Sequence, residues 1–114
     1  MENDDNFVPI ITAGALPNRK VSEALGLVWG SDIRARSIFK DIIAMFRFLG
    51  GGEIKEYSTL FDEVRHNALK KLKRNAELVG ADAVVDVRFV SSVVVPGGVE
   101  FLVYGTAVRL EKAK

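Results

Sequence analysis

A chain of 114 residues, 48% of them apolar, is long enough for one packed core and too short for a second domain of ordinary size. Sixteen basic residues against fifteen acidic ones leave a net charge of +1, without the one-sided field of a dedicated nucleic-acid or membrane-surface binder. The absence of cysteine excludes a disulfide framework, a thiolate metal site and a cysteine nucleophile.

The first six residues, Met1 to Asn6, are acidic and polar where a secretory signal needs basic residues followed by an apolar core. No apolar run approaches the ~20 residues that span a bilayer, so the expectation is a soluble, cytoplasmic protein with no membrane partner. One domain is expected over residues 7–110. Residues 1–6 and 111–114 are polar or charged, with nothing to bury, and read as disordered tails.

Phe7 to Thr12 is short, apolar and β-branched, and Gly14 and Pro17-Asn18 then supply turn chemistry, so the stretch reads as a first strand. From Val21 to Trp29 the larger residues Val21, Leu25, Leu27 and Trp29 alternate with Ser22, Ala24, Gly26 and Gly30. A two-residue period of this kind predicts a second strand with one crowded face and one flat face. The flat face would let a helix or another backbone approach closely, and Gly26 and Gly105 are expected at such approaches.

Ser37 is placed to cap a helix over residues 38–49, where Ile38, Ile42, Met45 and Leu49 form one apolar stripe and Phe39, Ile43 and Phe46 its neighbour. That much apolar surface needs more than one partner, and in so small a chain another copy of the subunit is the natural source. A further helix follows from Phe61, Val64, Ala68, Leu72, Ala76 and Val79, stepping by three and four, with Gly80 as its stop. Lys70, Lys71, Lys73 and Arg74 lie toward the negative end of that helix dipole and read as a solvated face. Ala83 to Val95 and Val99 to Leu110, separated by Pro96-Gly97-Gly98, predict a hairpin. In its first arm Val85, Val87 and Phe89 should share a face, with Asp86 and Arg88 pointing the other way.

The triple glycine Gly50-Gly51-Gly52 has neither the spacing of a Walker loop nor that of a dinucleotide fingerprint, and reads as a corner between the two helices. His66, the only histidine, follows Asp62 and Glu63 by four and three residues, a spacing that can put metal ligands on one helix face. At 100° per residue, however, it falls opposite the apolar stripe together with Asp62, Lys70 and Lys73. Arg65 flanks the stripe near Phe61, and a guanidinium partly buried there needs an acidic or carbonyl partner, which makes an ion pair its ordinary role.

Several fragments together resemble the YbjQ-like family. They are Gly50-Gly51-Gly52-Glu53 with Tyr57, Glu63-Val64-Arg65, Ala68-Leu69, Leu72, Ala76, Gly80-Ala81-Asp82-Ala83-Val84-Val85 and Tyr104-Gly105-Thr106-Ala107-Val108. Thr12 and Leu25-Gly26-Leu27-Val28-Trp29-Gly30 extend the match over almost the whole chain. The resemblance implies an α+β, two-layer domain with an antiparallel sheet, in the order β-β-α-α-β-β, assembled as a homopentameric ring. It implies no defined activity. The family carries a heavy-metal-binding label, from which this chain departs in having no cysteine, since thiolates are the usual soft-metal ligands.

The function expected from these observations is an oligomeric binding or scaffold protein whose partner is itself. The alternative is a metal-ion-binding protein using oxygen donors such as Glu53, Asp82 and Asp86, with His66. An enzyme would have Asp82, Asp86, Arg65 and Tyr104 to work with, but no nucleophile, base and orienter fall together in the sequence. No cofactor is expected. Glu53, Tyr57 and Arg65 are the candidates for a polar cluster at an interface or ligand site, followed by Asp82, Asp86, Tyr104 and Thr106.

Overall fold

The structure, a computed structural model, describes residues 8–34, 48, 55–95 and 98–112, with the side chains of 55–60 and 93–95 outside that description. Its elements are strand β1 (Val21–Arg34), helix α1 (Lys55–Leu78), strand β2 (Ala83–Val95) and strand β3 (Gly98–Leu110). The three strands form one antiparallel sheet in the order β1-β3-β2. Helix α1 covers one face of it. The chain is therefore a small α+β domain, with the helix expected over residues 38–49 lying outside the described residues. Of that segment only Phe48 is described, helical and 87% exposed.

The apolar stripe of α1 is buried as its spacing requires. Val64, Ala68, Leu72 and Ala76 have no solvent exposure, and the last three cluster with Val28 of β1, Val103 and Ala107 of β3 and Val84 and Val87 of β2. Phe61 extends the contact to Phe101, their ring centroids 5.6 Å apart. Val79, expected on the same stripe, is 47% exposed because the helix ends at Leu78 and the chain turns at Gly80, whose φ is 78°. That positive φ is the left-handed C-terminal conformation that glycine adopts without strain.

Of the small residues expected to form a flat face on β1, only Gly30 lies under α1, whereas Ser22, Ala24 and Gly26 are exposed. A Cβ built on Gly30 would overlap the Ala68 carbonyl oxygen and sit 2.5 Å from the Leu72 amide nitrogen. Gly26 is glycine for a different reason. Nothing lies within 4 Å of where its side chain would be, but its φ is 110°. There the pairing with β3 slips between Ala24 and Gly26, one extra residue is accommodated, and the alternation inverts. Leu25 consequently packs toward the helix-side core, whereas Leu27 and Trp29 are 64% and 53% exposed. The expected common face of Leu25, Leu27 and Trp29 is split by that bulge.

A second bulge changes the reading of β2. Val85 pairs with Thr106 and Arg88 with Tyr104, so Asp86 and Val87 together oppose Gly105. Asp86 takes a φ of 56°, and the side-chain parity shifts by one. Val84 and Val87 then face the helix, while Ala83 and Val85 join Val108 and Leu110 on the opposite side. Phe89 is 50% exposed. The expected row of Val85, Val87 and Phe89 therefore does not exist, because a period of two holds only where no residue is inserted.

The N-terminal segment is extended but forms only an isolated parallel bridge, Ile10 with Val84, rather than a full strand. Its bonds to β2 are the Ile11 amide to the Val84 carbonyl (3.0 Å) and the Val84 amide to the Pro9 carbonyl (2.9 Å). The bulge presents two successive amides to it, Asp86 to Ala13 at 2.9 Å and Val87 to Ile11 at 3.1 Å. Pro9 has no N–H to give in return. At the far end of the sheet the Glu111 amide bonds the Lys20 carbonyl at 2.8 Å.

Candidate functional site

Among the described residues, the sheet face away from α1 is covered at one corner. Ile11 and Leu16 of the N-terminal segment pack on Ala83, Val85, Val108 and Leu110. Beyond that corner Leu27, Trp29 and Ile33 of β1 are 64%, 53% and 59% exposed, and Val90 of β2 is 43% exposed. Strand register sets Trp29, Tyr104 and Arg88 side by side across the three strands, with Ser31, Leu102 and Val90 as the next row. Tyr104 and Thr106 are half-buried in the middle of this face. The result is a surface on which exposed apolar and aromatic side chains are interspersed with Arg88 and Glu100, of the kind that marks contact with another molecule.

The charged residues singled out in the sequence are spread around the domain rather than gathered. Asp82 holds the two ends of the hairpin together: its Oδ2 accepts from the Leu110 amide at 2.9 Å, and its own amide donates to Val108 at 2.8 Å. Asp86 sits in the bulge, its carboxylate 3.5 Å from where a Gly14 side chain would start. Arg88 reaches back to the N-terminal segment, its Nη1 donating to the Thr12 carbonyl at 3.0 Å. Arg65 finds the acidic partner its position called for in Asp62, Nη1 to Oδ1 at 3.2 Å, and its guanidinium lies 6.0 Å from the Phe61 ring centroid. Both side chains of the pair are more than half exposed, so the pair is worth little in stability.

His66 is exposed on the outer side of α1, its Nδ1 2.8 Å from the Asp62 carbonyl one turn earlier. Among the described residues no three His, Asp or Glu side chains come together to hold a metal ion. Tyr57 belongs to α1 with its side chain outside the described residues, and Glu53 and the triple glycine lie outside them altogether. The cluster expected of Glu53, Tyr57 and Arg65 is thus described only at Arg65.

Two residues with structural work escaped the sequence reading. Lys71 donates to the Ser31 carbonyl at 2.9 Å and stands 3.9 Å from Asp32, and Asn75 donates to the Trp29 carbonyl at 2.7 Å. They lie one turn apart on the flank of the apolar stripe and cap the edge of β1 away from β3, which is the outer edge of the sheet among the described residues. Their spacing of four was visible in the sequence, but nothing there showed that an edge strand would lie beside it. The basic run also proves to lie short of the helix end: no basic residue occupies the last turn, where the dipole is felt.

The sequence model of the YbjQ family, described as "Putative heavy-metal-binding", matches residues 8–111. A UPF0145 protein of Archaeoglobus fulgidus is 46% identical over 101 residues, covering 89% of this chain and 94% of that protein. One from Thermotoga maritima is 44% identical over 103 residues, covering 90% and 97%. Among solved structures, a protein of unknown function from Pediococcus pentosaceus, assigned to the DUF74 family, superposes with a TM-score of 0.55 at 21% identity, covering 90% and 96% of the two chains. That likeness concerns the fold alone.

Proposed function

Because the chain belongs to the YbjQ family, we propose that it is a cytoplasmic, non-enzymatic binding or scaffold protein that works as a closed ring of its own subunits, five on the family resemblance. One observation carries this reading: the open sheet face with Leu27, Trp29, Ile33 and Val90 between 43% and 64% exposed. Apolar surface gains about 25 cal/mol per Å² when it leaves water, and a second copy of the same chain is the partner always at hand. In a ring the face meets a different surface on the next copy, so every subunit is covered in the same way and pockets form between neighbours. Among the described residues no helix is long and apolar enough to cross a membrane.

Light scattering of the purified protein tests the reading. A single oligomeric species at micromolar concentration is expected, and a monomer there would refute it. The runner-up, binding of a metal ion by oxygen donors such as Asp82, Asp86 and Glu53 with His66, draws its support from the family description. Calorimetric titration with zinc, copper and nickel decides it, and an absence of binding below millimolar concentration would dispose of it.

A further inference from the structure

Between β1 and the second half of α1 lies an open cavity of about 280 Å³, lined by Trp29, Gly30, Ser31, Lys71, Arg74 and Asn75. Its walls are unusual in their polarity. The carbonyls of Trp29 and Ser31, which accept from Asn75 and Lys71, point away from the partner strand β3. In an antiparallel ladder the N–H and C=O of one residue point to the same side, so the Trp29 and Ser31 amides face this edge too. The two carbonyls that would repel an anion are already matched by side-chain donors. Arg74 completes the wall, and among the described residues no hydrogen bond or ion pair holds it.

Asp32, 14% exposed, is shared between Arg34 at 3.1 Å and Lys71 at 3.9 Å. Lys71 is therefore partly neutralised, and Arg74 is the uncommitted charge. Five donors, two backbone amides, the Lys71 ammonium, the Arg74 guanidinium and the Asn75 amide, are thus collected at one edge of the sheet beside a space for a small molecule. A planar guanidinium with several N–H groups suits an oxyanion, and donors on more than one side suit a phosphate group better than a two-oxygen carboxylate.

We propose that this cavity binds the phosphate group of a small phosphorylated molecule, with Arg74 as the principal charged donor. The site is distinct from the open sheet face and does not depend on ring assembly. It also gives the basic run of α1 a role that the helix dipole does not.

Isothermal titration calorimetry reads occupancy of the cavity, to which Trp29 turns its carbonyl while its indole lies on the opposite, open face of the sheet. The assembled protein is titrated with inorganic phosphate, glycerol 3-phosphate and succinate at constant ionic strength held with sodium chloride. A saturable change with either phosphate, exceeding that with succinate, is the expected result; saturation by inorganic phosphate alone identifies the free ion as ligand, and tighter binding of the ester identifies an organic phosphate. Arg74→Ala and Arg74→Gln should each weaken binding about tenfold or more, the loss that follows removal of a charged hydrogen-bond donor. Lys70→Ala, an exposed cation of the same helix outside the cavity, should leave it unchanged. No saturable response, preference for succinate, or equal losses in the Arg74 and Lys70 variants would each overturn the assignment. Because both positions are exposed, circular dichroism is expected to match the parent in every variant, and light scattering on the same samples reads assembly separately.

Discussion

Three glycines of this domain look alike in the sequence and do three different things. Gly30 lets the backbone of α1 rest on β1, Gly26 supplies a φ of 110° for a bulge in open space, and Gly105 faces the side chains of Val84 and Val87. Their alanine variants should therefore separate. At Gly30 the added carbon meets helix backbone, which cannot step aside, so Gly30→Ala should destabilise by about 2 to 3 kcal/mol, at the upper end of overpacking costs. At Gly26 the cost is conformational and should be about 1 to 2 kcal/mol. Chemical denaturation of the pair measures the difference, and equal midpoints would contradict the close contact at Gly30. For Gly105→Val, a Cβ 2.8 Å from Val84 Cγ1 and 2.9 Å from Val87 Cγ2 makes a loss of about 1 to 3 kcal/mol the expected outcome, read from a lowered melting temperature. Gly105 was expected at a close approach, and its surroundings meet that expectation. The bulge that brings Val84 and Val87 to it was not expected.

At the scale of an element, α1 shows how far periodicity carries. Its buried residues Val64, Ala68, Leu72 and Ala76 are the ones its spacing selects, because a helix has a single rigid period of 3.6. Strands offer no such guarantee. One inserted residue inverts every side chain beyond it, and β1 and β2 each contain such a point, at Gly26 and Asp86. Leu72→Ala, at the centre of the helix contact with no solvent exposure, should cost about 2 to 5 kcal/mol in urea unfolding. Lys71→Ala and Asn75→Ala test the flank of the same helix. Each removes the partner of an edge carbonyl, and amide exchange along β1 should accelerate in both variants while the midpoint falls by only about 1 kcal/mol. Exchange rates identical to the parent would mean that these two side chains do not hold the strand.

For the whole molecule the decisive quantity is the apolar surface left over once α1 has covered its side of the sheet. The sequence reading placed that surplus on residues 38–49, and the described residues show a second source on the open face of the sheet. Leu27→Glu together with Ile33→Glu puts two charges on that face without touching the helix-side core. Light scattering of this double variant should show dissociation to smaller species with the circular dichroism of the parent; an unchanged particle mass would remove the sheet face from the contact. The candidate site residues follow the same logic of scale. His66 lies on the outer side of the helix as its angle requires and Arg65, expected partly buried beside the stripe, is 52% exposed, whereas the partners of Asp82, Asp86 and Arg88 come from segments 28, 73 and 76 positions away and no local pattern could supply them.

Local chemistry was sufficient for the amphipathic stripe of α1, its stop at Gly80 and the hairpin of β2 and β3, since each depends on residues a few positions apart. The order β1-β3-β2, the bulges at Gly26 and Asp86, the seating of the N-terminal segment beside β2 and the donor-lined cavity at the edge of β1 arise only when distant stretches meet. Hydrogen bonds across a sheet are satisfied by whichever strand lies alongside, and an inserted residue is invisible until its neighbour is in place. Side-chain direction in a strand is thus a property of the pair of strands, while in a helix it is a property of the segment itself.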